Sequence, residues 1–131
     1  MTLLNADRWL VGTLKNDTTI AAAVGARVYQ DQAPEETAYP LILVNYVSTL
    51  PVQNLSADRV MDSELWRIRI IDQDPSYAGV ESIADRVRSI LHKASGTGVI
   101  GCVFAGAYRL PETSEKTQYR SIILEFELFT Q

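Results

Sequence analysis

The chain is poor in the residues that most often carry covalent and metal chemistry, with one cysteine and one histidine among 131 residues. The lone Cys102 excludes an internal disulfide. No N-terminal stretch has the basic start, apolar centre and small-residue cleavage site of a secretion signal. No apolar run approaches the roughly 20 residues that span a bilayer. The sequence therefore predicts a soluble protein that is made in the cytosol.

Basic residues are also scarce. The 12 Lys and Arg residues are outnumbered by 16 Asp and Glu residues, which gives a formal net charge of −4. Proteins that hold nucleic acid by neutralising phosphates need clustered basic side chains. The composition therefore argues against a protein that grips DNA.

The motif matches indicate structure and not catalysis. Gly96, Gly98 and Gly101 fit GxGxxG, but a dinucleotide site needs this motif after a strand and before a helix, and here the order is reversed. His92 falls in the last turn of a predicted helix, where a cation interacts favourably with the helix dipole. Cys102 lies in a strand pattern with no identifiable base. We expect no catalytic residue, no cofactor, no metal ligand and no enzymatic activity.

Residues 64–72 alternate between apolar and polar side chains, which is the period of a half-buried strand. The inward set is Trp66, Ile68 and Ile70. Arg67 and Arg69 share the opposite face. This strand organises the prediction for the rest of the chain.

A helix is predicted over residues 75–93, with Asp74 as its N-cap and Pro75 at the first helical position. Lys93 suits the C-terminal end, and Gly96 supplies a left-handed residue just beyond it. The apolar stripe consists of Val80, Ile83, Ala84, Val87, Ile90 and Leu91. The helix should pack this stripe on the strand face that carries Trp66.

The remaining sequence predicts two N-terminal helices and four more strands. The helices cover residues 2–15 and 18–24, and Asp17 and Gly25 cap the second one. The strands cover residues 26–30, 41–47, 99–109 and 118–129, with a charged turn over residues 111–116. This order predicts a single α+β domain over residues 1–131, in which a mainly antiparallel sheet of about five strands carries the helices on one face.

The other face of this sheet mixes charged and large apolar side chains. If residues 64–72 pair with residues 118–129, Arg67 and Arg69 lie near Glu125 and Glu127, and each exposed ion pair contributes roughly 0.2–1 kcal/mol. Residues 48–63 form a long connection with several apolar residues, either a hairpin extension or an arm that contacts a partner. The candidate subunit or partner contacts are Arg67, Arg69, Ile71, Ile123, Glu125, Glu127, Leu50, Leu55, Arg59, Val60 and Met61. Ordinary surface residues are the alternative to an interface.

Five segments, taken in order, carry a family resemblance. They are IAAAVGARVY at residues 20–29, AYPLILV at 38–44, LWRIRII at 65–71, YAGVESIADRVRSIL at 77–91 and YRSIILEF at 119–126. Together they resemble the small tail completion, or tail terminator, proteins of long-tailed bacteriophages, over nearly the whole chain.

The resemblance implies a ring of identical subunits, usually a hexamer, that binds the last ring of tail tube protein and stops elongation. It implies that the other side of the ring meets the head–neck connector protein, and that DNA passes through the channel without specific binding. The implied location is the head–tail junction of the virion, after synthesis in the host bacterial cytoplasm. The family has no catalytic motif, and no membrane is involved.

Other classes remain open. The chain can be another component of the same particle, such as a neck protein, a head-completion protein or a tube subunit. A small α+β enzyme would have a pocket with a perturbed acid or base near His92 or Cys102. A nucleic-acid-binding module would bind DNA tightly and in a salt-sensitive way.

Overall fold

The computed structural model describes residues 5–53, 59–96, 98–114 and 117–130. Its elements are α1 (Asn5–Asn16), α2 (Thr18–Val24), β1 (Val28–Gln30), β2 (Leu41–Gln53), β3 (Arg59–Asp72), α3 (Ala78–Leu91), β4 (Val99–Ser114) and β5 (Thr117–Thr130). The five strands form one sheet in the order β1-β2-β3-β5-β4. β1 runs parallel to β2, and the other neighbouring pairs are antiparallel. The predicted α+β class is confirmed.

The helices pack on one face of the sheet, called the inner face here, and the core lies between them. Trp66 of β3 and Phe126 of β5 are the two largest fully buried side chains. Leu10 and Leu14 of α1 belong to the same cluster. The buried stripe of α3 is Val80, Ile83, Ala84, Val87 and Leu91. Burial of each large side chain contributes roughly 1.5–3 kcal/mol, so this stripe fixes which sheet face is covered.

At its N-terminal end, α3 begins three residues later than the predicted Pro75. Asp74 does not cap the helix. Its Oδ1 instead accepts a hydrogen bond from the Ser76 backbone N–H at 2.9 Å, in the turn before the helix. Tyr77 occupies the N-cap position without a side-chain cap hydrogen bond. The Asp-Pro pattern therefore marks this turn and not the helix start.

At its C-terminal end, α3 stops at Leu91 and not at the predicted Lys93. Lys93 itself takes the left-handed conformation, with φ of 66°, and its N–H donates to the carbonyl oxygen of Cys102 at 2.7 Å. The left-handed residue predicted at Gly96 thus comes three positions earlier. A tertiary hydrogen bond to β4, which the local sequence does not reveal, sets this end of the helix.

The capping prediction for α2 is confirmed. Asp17 Oδ2 accepts a hydrogen bond from the Ile20 backbone N–H at 3.0 Å, and Gly25 follows the helix with φ of 62°. The described part of α1 runs one residue beyond the predicted residues 2–15, and residues 2–4 lie outside the described ranges. No helix within those ranges is long and apolar enough to cross a membrane.

Asp17 also connects α2 to α3. Arg86 donates from Nε to Asp17 Oδ2 at 3.0 Å and from Nη2 to Oδ1 at 2.7 Å, and these bonds hold the pKa of Asp17 below its usual 3.8. Because the folded-state pKa is lowered, the stabilisation is complete above the unfolded-state pKa and is lost as the pH falls through the folded-state pKa.

Asp17→Asn should therefore remove part of the acid sensitivity of folding. Wild-type protein should lose more unfolding free energy than the variant as the pH is lowered from about 5 towards 2. Urea unfolding at a series of pH values measures both curves. Parallel curves would show that Asp17 does not contribute to the pH dependence.

The indole of Trp9 in α1 lies directly against Gly96, the residue that bridges to the start of β4. A Cβ atom added at Gly96 would lie 2.1 Å from Trp9 Nε1. Glycine is required at this position because a bulky aromatic ring approaches the backbone, and not because of a left-handed conformation. The contact ties the N-terminal helix to the connection after α3.

Gly96→Ala should lower the unfolding free energy by about 1–3 kcal/mol, since the Trp9 ring must move out of its packing. Gly12→Ala in α1 is the matched control. No atom lies within 4 Å of its added Cβ, and helix propensity predicts stabilisation by up to about 1 kcal/mol. Chemical unfolding of both variants tests the contact, and effects of the same sign would contradict it.

β1 begins at Val28, two residues later than the predicted residues 26–30, whereas the other four strands are longer than the sequence predicts. β2 continues through Pro51 to Gln53, and β3 begins at Arg59, so most of the predicted loop over residues 48–63 is a two-stranded hairpin extension, called the arm here. Likewise, Pro111 and its neighbours as far as Ser114 belong to β4, and the predicted charged turn over residues 111–116 is wrong for that part. Pairing across the sheet maintains these strands through residues with low strand propensity.

Candidate assembly surface

The sheet face opposite the helices, called the outer face here, carries the predicted ionic residues. β3 pairs with β5 so that Arg67 lies opposite Glu125 and Arg69 lies opposite Ile123. Arg67 Nε lies 3.4 Å from Glu125 Oε1, which confirms the first predicted pair. The strand neighbours assumed in the sequence analysis are therefore correct.

The second predicted pair is wrong. Arg69 contacts the carboxylate of Glu112 on β4, and Glu127 accepts a hydrogen bond from Ser63 Oγ at 2.6 Å. The register of the two strands explains why Arg69 does not reach Glu127. Glu127 lies opposite Leu65, which is four residues before Arg69 on β3. Arg69 Nε is buried and has no hydrogen-bond partner among the described residues.

A shallow concavity of about 520 Å³ lies over the centre of the outer face. Its lining consists of Asn45, Tyr46, Val47, Arg67, Arg69, Tyr108, Leu110 and Ile123. The predicted contact residues Ile71 and Ile123 are only 8% and 6% exposed. Neighbouring side chains of the same chain already cover them, so they offer little area to a partner.

The arm presents one of the most accessible apolar side chains of the described chain, Leu50, which is 67% exposed. Met61 lies on the paired strand and is half-buried, opposite Val52. Arg59 and Val60 lie in β3 by their backbone, and Leu55 lies outside the described residues. The hairpin interpretation of this segment is confirmed.

Buried hydrogen bonds hold the base of the arm to the sheet. Glu64 is 2% exposed. Its Oε1 accepts from Trp66 Nε1 at 3.0 Å, and its Oε2 accepts from Thr130 Oγ1 at 3.0 Å. One carboxylate therefore joins β3 to the last residue of β5 where the arm begins.

Exposed large hydrophobic side chains of the described residues occur on two strands only. They are Tyr46, Val47 and Leu50 on β2, and Ile100, Val103, Tyr108 and Leu110 on β4. The sequence analysis identified only Leu50 among them. It predicted strands over residues 41–47 and 99–109 but assigned no exposed face to either. The spacing of Tyr108 and Leu110, two residues apart, is the signal that places both on one face.

The residues considered for chemistry have structural roles. His92 Nδ1 accepts a hydrogen bond from the Phe104 backbone N–H at 3.1 Å, next to the end of α3. Gly96 bridges to Val99 and Gly101 lies within β4, so these glycines do not open a helix. The described residues contain no group of three or more His, Cys, Asp and Glu side chains suited to a metal ion.

Cys102 is fully buried, and burial raises the pKa of its thiol to about 12. Since the thiolate is the reactive form, folded protein should react with a thiol reagent such as DTNB at least about 100-fold more slowly than protein unfolded in urea. Absorbance at 412 nm follows the reaction. Fast labelling under native conditions would contradict the buried position.

These features are typical of a structural protein that works by association. The chain has an α+β fold with an open sheet, and its exposed large hydrophobic side chains lie along two strands of that sheet, as expected for a protein that associates with others.

The chain belongs to the family described as "Tail completion protein gp17", whose family model matches residues 8–131. It is therefore a structural protein of phage tails and not an enzyme, and the resemblance stated from the sequence is confirmed. A chain from the solved structure "Virion of native gene transfer agent (GTA) particle" shares the fold with a TM-score of 0.67 and 22% sequence identity. The match covers 92% of this chain and 90% of that chain. Comparison with curated proteins gives no significant match.

Proposed function

We propose that copies of this chain close into a ring, a hexamer, which caps the tail tube, ends its elongation and joins the tail to the head. The match to tail completion proteins over residues 8–131 carries this proposal. The similar fold of a chain from a gene transfer agent virion supports a location in an assembled particle. Within that particle, the proposed location is the head–tail junction.

The surface of the subunit is compatible with a ring. Head-to-tail association into a closed ring needs two different, complementary patches on each subunit. The proposed patches are the outer face, with Arg67 and Arg69, and the arm, with Leu50. The further contacts proposed from the sequence are Glu125, Glu127, Leu55, Arg59, Val60 and Met61, whereas the buried Ile71 and Ile123 act only by shaping the outer face.

The proposed partners are the tail tube protein on one side of the ring and the head–neck connector protein on the other, with DNA passing between them. The chain has a net charge of −4, and Arg67 and Arg69 are paired with carboxylates of their own chain. Acidic residues therefore outnumber basic ones, and these two arginines are already neutralised, so DNA can slide through such a ring without sticking.

Electron microscopy of tails assembled in cells that lack this chain tests the proposal. Without a terminator, tubes should grow beyond the normal length, and supplying the wild-type chain should restore it. Tubes of normal length would overturn the proposal in favour of another neck or head-completion protein. A complete absence of tubes would identify a tube subunit instead.

A further inference from the structure

One edge of the sheet is open along the second half of β2. β1 pairs with β2 only from Ile42 to Val44, and no other described strand or backbone group bonds to this side of β2 over residues 45–53. This stretch, called the β2 open edge here, reads NYVSTLPVQ and has no charged residue. Soluble proteins usually protect such an edge with charged side chains, prolines or a covering element, and of these the stretch has only Pro51. An uncharged edge with exposed Tyr46, Val47 and Leu50 is suited to pairing with another strand.

The opposite edge of the sheet is open along the second half of β4. Over its first half, the end of α3 closes the edge, because Lys93 N–H donates to Cys102 O and Phe104 N–H donates to His92 Nδ1. No described backbone group bonds to this side of residues 106–114, called the β4 open edge here. Tyr108 and Leu110 are 42% and 36% exposed along it.

We propose that the β4 open edge of one copy pairs with the β2 open edge of the next copy, extending the sheet from subunit to subunit. Leu50 of one copy then packs beside Tyr108 and Leu110 of its neighbour on the outer face. This inference rests on the proposed ring and specifies which contact closes it.

Strand direction favours this pairing. Each neighbouring pair from β2 through β3 and β5 to β4 is antiparallel, so β2 and β4 run in opposite directions. When subunits repeat around a ring, β4 therefore meets the next β2 in the antiparallel sense, which is the more stable of the two ladder types. The two open edges also expose backbone groups that have no backbone partner in the described chain, except at Pro51 and Pro111, which have no N–H.

The two open edges lie at opposite ends of the sheet. Leu41, at the start of β2, aligns through Ile71 and Ser121 with Leu110 of β4. Leu50, which the proposal places beside Leu110 of the neighbour, lies nine residues beyond Leu41, so paired copies must shift along the strand direction by about that distance. Closed barrels require such a shift, with strands tilted by roughly 35–45° from the axis. The offset is therefore compatible with closure of the sheet into a ring.

Leu50→Lys tests the contact without removing a core side chain. A lysine on the β2 open edge should weaken self-association at least about tenfold, because its charge opposes pairing. Ile100→Lys is the matched control. Ile100 is 48% exposed on the same strand as Tyr108 and Leu110, but beside the half that α3 closes, so self-association should be unchanged. Multi-angle light scattering over a concentration series measures association, and circular dichroism checks the fold of each variant.

Cross-linking supplies a second measurement. The double variants Leu50→Cys/Tyr108→Cys and Leu50→Cys/Leu110→Cys should form disulfide-linked ladders of the chain under mild oxidation, and Leu50→Cys/Ile100→Cys should not. Equal cross-linking in all three, or wild-type association of folded Leu50→Lys, would overturn the edge pairing and leave the ring proposal standing. If folded Leu50→Lys associates with itself like wild type but no longer binds tail tubes, the edge belongs to the tail tube protein and the pairing between copies is overturned. A wild-type chain that is monomeric with and without tail tubes would overturn the ring itself.

Discussion

Glu64→Ala should lower the unfolding free energy by about 2–5 kcal/mol. Glu64 is 2% exposed and accepts hydrogen bonds from Trp66 Nε1 and Thr130 Oγ1, so its removal leaves both donors without an acceptor. Each buried polar group left unsatisfied costs roughly 1–3 kcal/mol. Urea unfolding followed by tryptophan fluorescence measures the loss, since Trp66 itself reports on this site.

Glu64→Gln is the matched control for the charge. Its amide oxygen can still accept from Trp66, and its NH₂ group can donate to Thr130 Oγ1 once that hydroxyl rotates. The amide also removes an ionised group from a buried position, which offsets any weaker hydrogen bond. We expect Glu64→Gln to stay within about 1 kcal/mol of wild type. A loss as large as that of Glu64→Ala would show that the negative charge, and not the pair of accepted hydrogen bonds, stabilises this corner of the sheet.

Exchanging the two members of the outer-face ion pair should weaken assembly at least about tenfold while leaving the monomer folded. Arg67→Glu alone is ambiguous, because it places a second carboxylate beside Glu125. The double variant Arg67→Glu/Glu125→Arg restores an ion pair within the subunit but reverses the charge pattern that a partner meets. Exposed pairs of this kind contribute about 0–1 kcal/mol to folding, so the double variant should unfold like wild type.

Light scattering of this variant alone measures the contact between copies of the chain. Light scattering with tail tubes measures the contact with the tube. Like-charge contacts across an interface cost several kcal/mol, so reversal of the pattern should be visible in whichever assembly uses the outer face. Wild-type behaviour in both assays would remove Arg67 and Glu125 from the interface.

The sequence predicts the inner face of the sheet well, because burial imposes a strict alternation on each strand. Trp66, Ile68 and Ile70 on β3 are buried as the period of two requires. The pairing of Arg67 with Glu125 also follows from the sequence once the strands carrying them are taken as neighbours. Face and period are local properties of a strand, so a single sequence contains them.

The partner of Arg69 could not be predicted in the same way. It depends on β5 lying between β3 and β4, so that Glu112 approaches from the next strand, and strand order is not a local property. Strand length was missed for a similar reason. Proline usually breaks a strand, so the sequence predicts that the strands end before Pro51 and Pro111. Both instead lie in stretches that pair with a neighbouring strand on one side only, and such edge stretches tolerate a missing N–H.

The open edges of β2 and β4 differ in sequence and lie on opposite sides of one sheet, and this has a consequence for any ring that they close. Every subunit then points the same way around the axis, so the upper and lower rims of the ring are built from different residues. Such a ring has two different rims as a direct result of how its subunits pair. One rim is free to evolve towards the tube and the other towards the neck, and an inverted subunit has no matching edge on which to enter.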